Sequence, residues 1–448
     1  MIPALASQRA MRERFRHAVR RGLIAAIDVG TAKTACFILR VDAQRLARAQ
    51  AEGRPHDAFA AVRIVGAGIT RSRGVRLGEI TDMDRCARAV RTALDIAERA
   101  AGERVDQAFC ALGGARPASL PAHGATMLEG MAVVERDIAR VVTSSRGPWH
   151  GRSREEGRET LHAQPVNFSV DGQDGLTDPR GMTGERIGVD MHVLTVAAAP
   201  LKNLAHCVRR CDLELAGVVS APYAAALSSL VEDEQKLGAA CVDMGAGSTG
   251  IAVFLRGHLI HADGVRVGGD HVTRDIASGL SMPEAAAERV KTVHGGAVAT
   301  GLDDRELFEA PRFGAEGAEE PRRISRAALI GVIRPRLEET LETVRDRLRA
   351  AGFQHLPGRR IVLTGGASQT PGLEEMAQRI LGRHVRVGRP MRVAGLPQTA
   401  IGPAFAASVG LAIYAARPQD EVWDFDVPVA PTTRGKLRRT VRWFKDNW

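Results

Sequence analysis

The sequence contains few aromatic residues, few lysines and no long apolar run. Aromatic side chains make up 4% of the 448 residues, and lysine stands at only six positions. No apolar run reaches the roughly eighteen residues that a transmembrane helix requires, so the sequence predicts none. The six cysteines include no C-x-x-C pair, which argues against a disulfide framework or a zinc site and predicts buried, reduced thiols.

The positive charge is concentrated in two terminal segments. The net charge of +10 comes from 62 basic and 52 acidic residues. Residues 9–21 hold six arginines and one acid, and residues 434–448 hold six basic residues and one acid. The chain between these segments is therefore close to neutral, which argues against a broad phosphate-binding face. We expect no nucleic-acid partner.

The basic segment 1–21 is predicted to be a solvated or disordered tail. Met11, Phe15 and Val19 recur every four residues with arginines between them. A contact with a membrane surface is therefore the alternative for this segment.

Two segments of the chain follow the same plan. "AAIDVGTAKTACFILR" and "AACVDMGAGSTGIAVFLRG" each read as an apolar strand, an aspartate, a turn with glycine and hydroxyl residues, and a second apolar strand. Asp28 and Asp243 occupy equivalent positions in the two segments. Two hairpins of one design so far apart predict a duplicated α/β core. A third turn, "TGG", connects an apolar strand to a helix between Arg360 and Leu381.

These turns have the composition of phosphate-binding loops. Glycine lets a ligand approach the backbone closely, and exposed N–H groups of a tight turn can cradle phosphate oxygens. Asp28 and Asp243 stand where each strand ends and can hold a divalent cation through water. Lys33 can reach a β- or γ-phosphate. One such hairpin alone would more often be purely structural; the order of all three turns favours the nucleotide interpretation.

That order of turns resembles the actin-like ATPase superfamily over residues 22–416. "GTAK", "SRG", "VKTVHG", "LTGGA" and "VGLAIYA" further resemble the bacterial FtsA cell-division family. The resemblance implies an α/β, actin-like fold: two duplicated lobes around a nucleotide cleft, an inserted subdomain called 1C, and a C-terminal amphipathic helix. It also implies ATP and Mg²⁺ as cofactors, with the cation held through water by Asp28 and Asp243.

The resemblance assigns the nucleotide site residue by residue. Glu288 and Lys291 would lie near the ribose and adenine, although an i,i+3 pair of this kind is commonly a surface salt bridge. The full set of implied nucleotide-binding residues is Asp28, Gly30, Thr31, Ala32, Lys33, Asp243, Gly245, Gly247, Ser248, Thr249, Glu288, Lys291, Gly365 and Gly366.

The resemblance also implies a division of the chain. In order, the parts are a basic N-terminal tail (1–21), subdomain 1A (22–113 and 191–219), the SHS2-like insertion 1C (114–190), subdomain 2A (220–267 and 352–400), subdomain 2B (268–351), a return helix to 1A (401–416), a linker (417–434) and an amphipathic membrane-targeting helix (435–448).

The position that orients water in fast hydrolases of the superfamily is occupied by alanine. The corner "SAPYAAAL" places Ala221 before Pro222, and no side chain there can activate water. We therefore expect ATP binding with at most slow hydrolysis, and we assign no catalytic residue.

The last fourteen residues predict a basic amphipathic helix. Leu437, Val441, Phe444 and Trp448 fall on one helical face, with Trp443 at its margin and Arg438 and Arg439 on the flanks. This pattern suits the headgroup region of an anionic membrane. A helix docked on its own protein is the alternative.

The resemblance implies a protein that polymerises at the cytoplasmic face of the inner membrane and tethers the FtsZ ring there. The C-terminal tail of FtsZ would bind subdomain 2B, with Arg322 and Arg326 meeting its acids. Ile324, Leu329 and Ile333 are candidate apolar contacts, although some of them must instead face the subdomain's own core. Other division proteins would bind through subdomain 1C, and copies of the chain would associate with one another. An actin-fold sugar-type kinase and a pilus-assembly adaptor are the alternative functions.

Overall fold

The computed structural model describes residues 8–51, 60–145, 156–311, 322–382 and 384–416. The strands are β1 Leu23–Val29, β2 Lys33–Val41, β3 Val62–Arg71, β4 Val75–Arg76, β5 Glu79–Ile80, β6 Gln107–Leu112, β7 Ala118–Met127, β8 Arg158–Val170, β9 Gln173–Leu176, β10 Arg186–Ala197, β11 Glu214–Ser220, β12 Ala239–Met244, β13 Thr249–Leu255, β14 His258–Val265, β15 Leu307–Ala310, β16 Arg322–Ser325, β17 Arg360–Thr364 and β18 Val385–Val387. The described α-helices are α1 Gln8–Arg21, α2 Ala43–Ala51, α3 Met83–Ala101, α4 Glu135–Ser144, α5 Ala198–Arg209, α6 Ala221–Ser229, α7 Glu232–Leu237, α8 Gly269–Gly279, α9 Glu284–His294, α10 Arg326–Ala350, α11 Leu373–Leu381 and α12 Ala406–Ala416.

Two five-stranded sheets share one topology, which confirms the predicted duplication. Their strand orders are β3-β2-β1-β6-β11 and β14-β13-β12-β17-β18. In each sheet the central hairpin, β1–β2 or β12–β13, is antiparallel. The first strand of each hairpin also pairs in parallel with a later strand, β1 with β6 and β12 with β17. Asp28 lies opposite Ala111 in the first sheet, and Asp243 lies opposite Thr364 in the second. The two aspartates therefore occupy equivalent edges of equivalent sheets.

The first sheet is buried on both faces, which explains the continuous apolar run of β1. The face toward α3 packs Cys36, Cys86 and Val90, and the face toward α12 packs Phe109 and Tyr414. All six cysteines are buried and free, as predicted. These cysteines therefore serve as small apolar residues of the core.

A third sheet forms the insertion. It has the order β7-β10-β8-β9, and α4 packs against it with Ile138, Val141 and Val142 buried. One end of this sheet contacts β14 of the second lobe, where the Ser119 hydroxyl donates to the carbonyl of Ala262 at 2.9 Å. The insertion therefore touches both lobes.

The N-terminal segment is a packed helix, so the prediction of a solvated or disordered tail is wrong. Phe15 packs edge-on against Phe109 with 4.9 Å between ring centroids, and Ala18 is buried. Arg14 donates to the carbonyl of Leu215 at 2.9 Å, and Arg21 pairs with Asp106. The apolar face that suggested a membrane contact, Met11, Phe15 and Val19, packs against the first lobe. Arg14 and Arg21 make polar contacts with the same lobe. Residues 1–7 lie outside the described residues.

The linker and the terminal amphipathic helix, residues 417–448, also lie outside the described residues, so both stay predictions. Among the helices that the structure describes, none is both long and apolar enough to cross a bilayer.

Helices α6 and α12 approach so closely that their contact requires glycine. Both helices are buried all round. A Cβ at Gly410 would overlap the carbonyl oxygen of Ala224 and lie 2.9 Å from its Cα. We expect Gly410→Ala to lower the free energy of unfolding by about 1–3 kcal/mol, because overpacking outweighs the gain of about 1 kcal/mol in helix propensity. Chemical denaturation followed by circular dichroism measures the change.

Gly331 provides the matched control. It lies inside α10, and a Cβ there would meet nothing within 4 Å. Gly331→Ala should therefore raise the free energy of unfolding by about 0.5–1 kcal/mol. Stabilisation by both substitutions would show that α6 and α12 do not pack this closely.

Candidate functional site

The turns of the two central hairpins have the same closure and lie against each other. The N–H of Gly30 donates to the carbonyl of Lys33 at 3.0 Å, and that of Gly245 to the carbonyl of Ser248 at 3.0 Å. A Cβ at Gly247 would overlap the hydroxyl of Thr31. Glycine is therefore required where the turns meet, and the structure brings these predicted residues together.

The third turn closes over the second aspartate. Gly365 has a φ of 84°, and a Cβ there would lie 2.5 Å from both Oδ1 of Asp243 and the carbonyl oxygen of Met244. Burial and, to a lesser extent, the nearby charge of Asp28 raise the pKa of Asp243 to about 7, against the opposing effect of Lys33. The site therefore holds a carboxyl group that a bound cation would readily deprotonate.

The first aspartate has a partner that the sequence analysis missed. Ser408 of α12 is buried and donates its hydroxyl to Oδ2 of Asp28 at 2.8 Å. The available sign was a serine within the otherwise apolar "AASVGLAIYAA". Ser408 fixes the orientation of a carboxylate that the sequence had assigned to cation binding.

Lys33 is held by the return segment before α12. Its ammonium group donates to the carbonyl of Ala404 and lies 4.6 Å from the centroid of the Phe405 ring. A side chain held by one carbonyl and one ring can exchange those contacts for a phosphate.

A second glycine pair belongs to the site and was also missed. The N–H of Gly269 donates to the carbonyl of Gly245 at 3.0 Å, and that of Asp270 to the carbonyl of Ala246 at 2.8 Å. A Cβ at Gly268 would lie 2.5 Å from the same Gly245 oxygen. The start of α8 therefore rests on the second hairpin turn, with its positive dipole end at the cleft. "VGGD" was the sign in the sequence.

Glu288 and Lys291 form the salt bridge that was weighed as the alternative, and they form it beside the start of α8. The Lys291 ammonium donates to Glu288 at 2.6 Å, to the Thr273 hydroxyl at 2.7 Å and to the carbonyl of Gly269 at 3.1 Å. In the ligand-free chain this pair therefore stabilises the start of α8, which rests on the Gly245–Ser248 turn.

Other predicted nucleotide-site residues are used differently. Thr249 is buried and donates its hydroxyl to the carbonyl of Val267 at 2.8 Å, so that hydroxyl is not directed to the cleft. The carbonyl of Ala32 accepts from the N–H of Ser72 at 3.0 Å. Gly366 approaches Ala404, with 3.8 Å between a Cβ built there and that of the alanine.

In the described ranges, no three His, Cys, Asp or Glu side chains are grouped to hold a metal ion by themselves. A divalent cation between Asp28 and Asp243 would therefore complete its shell with water and phosphate oxygens, as Mg²⁺ commonly does. Two carboxylates at the closed edge of the cleft fit that arrangement.

The residues predicted to bind a partner in 268–351 are mostly internal. Ile324, Leu329 and Ile333 are all buried in the second lobe, so the expectation that they could contact a partner is wrong. Arg326 pairs with the buried Asp303 and donates to the carbonyl of His294 at 3.0 Å.

Exposed side chains stand beside that buried set. Arg322 and its neighbour Arg323 are exposed, and the large apolar residues Val293, Leu302 and Leu307 are 65%, 73% and 55% exposed. Sequence pattern alone could not separate these residues from the core positions around them.

The sequence matches two family models. The one described as "Cell division protein FtsA" matches residues 240–410, and "SHS2 domain inserted in FTSA" matches residues 114–195. The chain is 41% identical over 437 residues to the cell division protein FtsA of Agrobacterium fabrum, covering 96% of each. It is 32% identical to those of Pseudomonas aeruginosa and Escherichia coli, covering 95% and 88% of this chain and 98% and 90% of theirs.

The fold is similar to the solved structure of a PilM-PilN type IV pilus biogenesis complex. The TM-score is 0.59 at 16% identity, covering 88% of this chain and 99% of that one. At this identity the likeness shows the fold alone. With the two-lobed topology and the SHS2 match, it confirms the predicted actin-like fold with a 1C-type insertion.

The raised pKa of Asp243 predicts a pH-dependent stability. The unfolded chain releases this proton near pH 3.8, whereas the folded chain retains it to about pH 7. Between these values the folded state binds more protons, so its free energy of unfolding falls as pH rises. Asp243→Asn removes the buried charge, and in the ligand-free chain it should raise the free energy of unfolding at pH 8 by on the order of 2–4 kcal/mol. Near pH 4 the two chains should be similar.

Urea titrations across this pH range measure the difference. Asp304→Asn, at an exposed position of the same lobe, makes the same change in net charge and should leave the curve parallel to that of the wild type. A parallel curve for Asp243→Asn would show that the carboxyl group is not buried as described.

Proposed function

Because the chain belongs to the FtsA family of cell-division proteins, we propose that it binds ATP with Mg²⁺, polymerises on the cytoplasmic face of the inner membrane and tethers the FtsZ ring there. The nucleotide part of this proposal is carried by one observation, the meeting of three glycine-containing turns at Asp243. Its membrane and partner parts are supported by the family and by the residues described below.

In this proposal the chain surrounds the phosphates with backbone donors. N–H groups within the Gly30–Lys33 and Gly245–Ser248 turns face the phosphate oxygens, and the positive dipole end of α8 lies beside them. Lys33 leaves the carbonyl of Ala404 for a β- or γ-phosphate oxygen. Asp243 loses its proton when the cation binds, since a nearby positive charge favours the carboxylate. The Gly365–Gly366 turn packs against the sugar and the α-phosphate, and Glu288 and Lys291 lie toward the ribose and adenine.

Hydrolysis of the bound ATP is slow in this proposal. Ala221 begins α6 at the corner where an acid or amide would orient water, and it is 8% exposed. Its methyl group cannot accept a proton. Steady phosphate release near the median enzymatic rate of about 10 s⁻¹ would contradict this part of the proposal.

The terminal segment 435–448 is the proposed membrane contact. Its aromatic residues, Trp443, Phe444 and Trp448, suit the interface between water and lipid. Each basic residue near an anionic surface adds about 1 kcal/mol. Copies joined in a filament add their weak contacts together, so membrane binding should be steep in protein concentration.

The proposed FtsZ-binding surface is the exposed part of 2B. Arg322 and Arg323 supply charge for the acids of the FtsZ tail. The exposed Leu307 lies on the strand that pairs with theirs, and the exposed Leu302 precedes it by five residues. Arg326 is a poor test position, because its substitution would leave the buried Asp303 without its partner.

Other contacts of the division machinery are proposed for the insertion. Met127, Met131 and Val134 are 60%, 83% and 55% exposed and stand within eight residues of one another in sequence. Exposed large apolar residues grouped in this way are typical of protein interaction sites. Neighbouring copies or other division proteins would bind there.

The two alternative functions are less well supported. The pilus complex shares 16% identity with the chain, against 41% for the division protein of Agrobacterium fabrum. A sugar-type kinase would need a catalytic aspartate that takes a substrate proton, and both cleft aspartates are already assigned to the cation.

Loss of the buried carboxylate should weaken nucleotide binding. We expect Asp243→Ala to reduce the affinity for ATP with Mg²⁺ by several-fold or more, because the cation loses a charged second-sphere ligand. Isothermal titration calorimetry measures this, with Asp304→Ala as the control that removes an exposed carboxylate. Wild-type affinity in Asp243→Ala would show that the cation does not bind at this edge of the cleft.

The tether itself can be tested by flotation of FtsZ with anionic liposomes. The wild-type chain should carry FtsZ to the liposome fraction. Phe444→Glu places a charge in the apolar face of the terminal helix, so the chain and FtsZ should both stay behind. Arg322→Glu with Arg323→Glu should leave the chain on the liposomes and lose FtsZ.

The pair of variants separates membrane binding from FtsZ binding. Wild-type flotation of Phe444→Glu would mean that the terminal helix packs on the protein. Undiminished recruitment of FtsZ by the double arginine variant would place the FtsZ site elsewhere on the chain.

A further inference from the structure

Four arginines line a cavity of about 410 Å³ on the first lobe, outside the nucleotide cleft. The cavity lies where the end of β3 meets the first turns of α3. Its polar lining consists of Arg71, Arg73, Arg85, Arg88, Thr70 and Thr92. The remaining lining residue is Ala89, and no carboxylate lines the cavity.

The two walls of the cavity are rigidly joined. A Cβ at Gly68 would overlap the backbone carbonyl oxygen of Ala93 and lie 2.9 Å from the N atom of Ala97, so the backbone of β3 lies directly against that of α3. The loop after β3 is fixed in the same way, because Gly74 has a φ of 69° and a Cβ there would lie 3.0 Å from the N atom of Cys86. The arginines therefore project from a preformed frame.

The cavity backs onto the first hairpin without opening into it. Ser72 is buried and points inward, with its N–H donating to the carbonyl of Ala32 at 3.0 Å and its hydroxyl 3.1 Å from that of Thr34. Arg71 and Arg73 on either side of it are exposed. The alternation of the backbone thus directs the arginines away from the cleft.

The charge of this cluster is largely uncompensated. Arg85 contacts Asp82 at 3.3 Å, in a pair whose members are both exposed. Within the described ranges, the structure gives no carboxylate partner to Arg71, Arg73 or Arg88. Arg85 and Arg88 are also neighbours on one helical face, where like charges repel.

Elsewhere, partly buried arginines of the chain are paired with carboxylates. Arg336 pairs with Asp275 at 2.6 Å, and Arg386 pairs with Glu234 at 2.5 Å. The arginine cavity differs from these sites in leaving several guanidinium groups directed at one space. A bound anion would supply the missing negative charge.

We propose that this cavity is a second anion site, which binds a phosphoryl group of a small soluble molecule. Guanidinium forks match the oxygens of phosphate. The Thr70 hydroxyl adds a neutral donor, whereas that of Thr92 donates to the carbonyl of Arg88 at 2.8 Å. The volume falls in the range of small-molecule pockets. An acidic peptide would need apolar contacts for affinity, and Ala89 is the cavity's single apolar lining residue.

Inorganic pyrophosphate is the probe, titrated calorimetrically into the full chain at low salt. All proteins carry Lys33→Ala, which weakens binding in the cleft, so that the remaining heat reports the cavity. Adding Arg73→Ala and Arg88→Ala should lower the remaining affinity at least tenfold. Adding Arg73→Lys and Arg88→Lys, which keep the charge but lose the fork, should cost less. Arg99→Ala, at an exposed position further along α3, should change nothing.

Three outcomes would overturn the proposal. Unchanged affinity after loss of both arginines would show that the cavity does not bind the probe, and no binding at all in the Lys33→Ala chain would confine the probe to the cleft. Liposome flotation of the full chain covers a third outcome. The Arg73→Ala, Arg88→Ala variant should float with phosphatidylglycerol vesicles as the wild type does. If this variant floats less than the wild type with phosphatidylglycerol vesicles, while the two do not differ with phosphatidylcholine vesicles, the cavity would be assigned to a lipid headgroup.

The thermal unfolding midpoint serves as the check on folding, and removing like charges should not lower it. The cavity and the cleft are tested separately by this design. Failure of the cleft assignment would appear as no effect of Lys33→Ala on total pyrophosphate binding, whatever the arginine variants do.

Discussion

The carboxyl group of Asp243 lies beneath the backbone of Gly365, at the edge where the second lobe meets the first hairpin. Burial and the charge of Asp28 hold its pKa near 7, so the ligand-free chain retains there a proton that aspartate ordinarily loses. The glycines around it follow from this packing, because a side chain at Gly365 or Gly247 would collide with the groups that close the site. Cation binding, turn geometry and lobe contact are thereby linked at one position.

The lobes are also joined away from that carboxyl group. The N–H of Gly78 donates to the Thr31 hydroxyl at 3.0 Å, and Glu79 pairs with Arg266 of the second lobe at 2.9 Å. Leu77, immediately before Gly78 and Glu79, has a φ of 54°, a conformation that few non-glycine residues adopt. The hairpin of β4 and β5 therefore lies against the Gly30–Lys33 and Gly245–Ser248 turns. A change in the conformation of either turn would alter its contacts with both lobes.

Sequence reasoning recovered the features that repeat. Asp28 and Asp243 could be found because the same strand, turn and strand occur twice. Ser408 and the Gly268–Gly269 pair were missed, because each acts on a turn far away in the sequence and neither belongs to a repeated pattern.

The errors have a common physical cause. An apolar stripe between arginines fits a membrane surface, a solvated tail and a packed helix equally well, and only the contact of Phe15 with Phe109 decides the case for α1. In the same way, Ile324 and Leu329 read as apolar anchors until their burial is known. The apolar periodicity of a sequence identifies the apolar face of a helix or strand, but it does not identify the surface that packs against that face.

Hydrogen exchange of the full chain with and without ATP and Mg²⁺ tests the central claim most directly. If the three turns surround the phosphates, amides in residues 29–33, 244–249 and 364–369 should all become protected on addition of the nucleotide, because they gain acceptors and lose solvent. Protection confined to one turn, or absent from all three while binding is detected by calorimetry, would contradict the account.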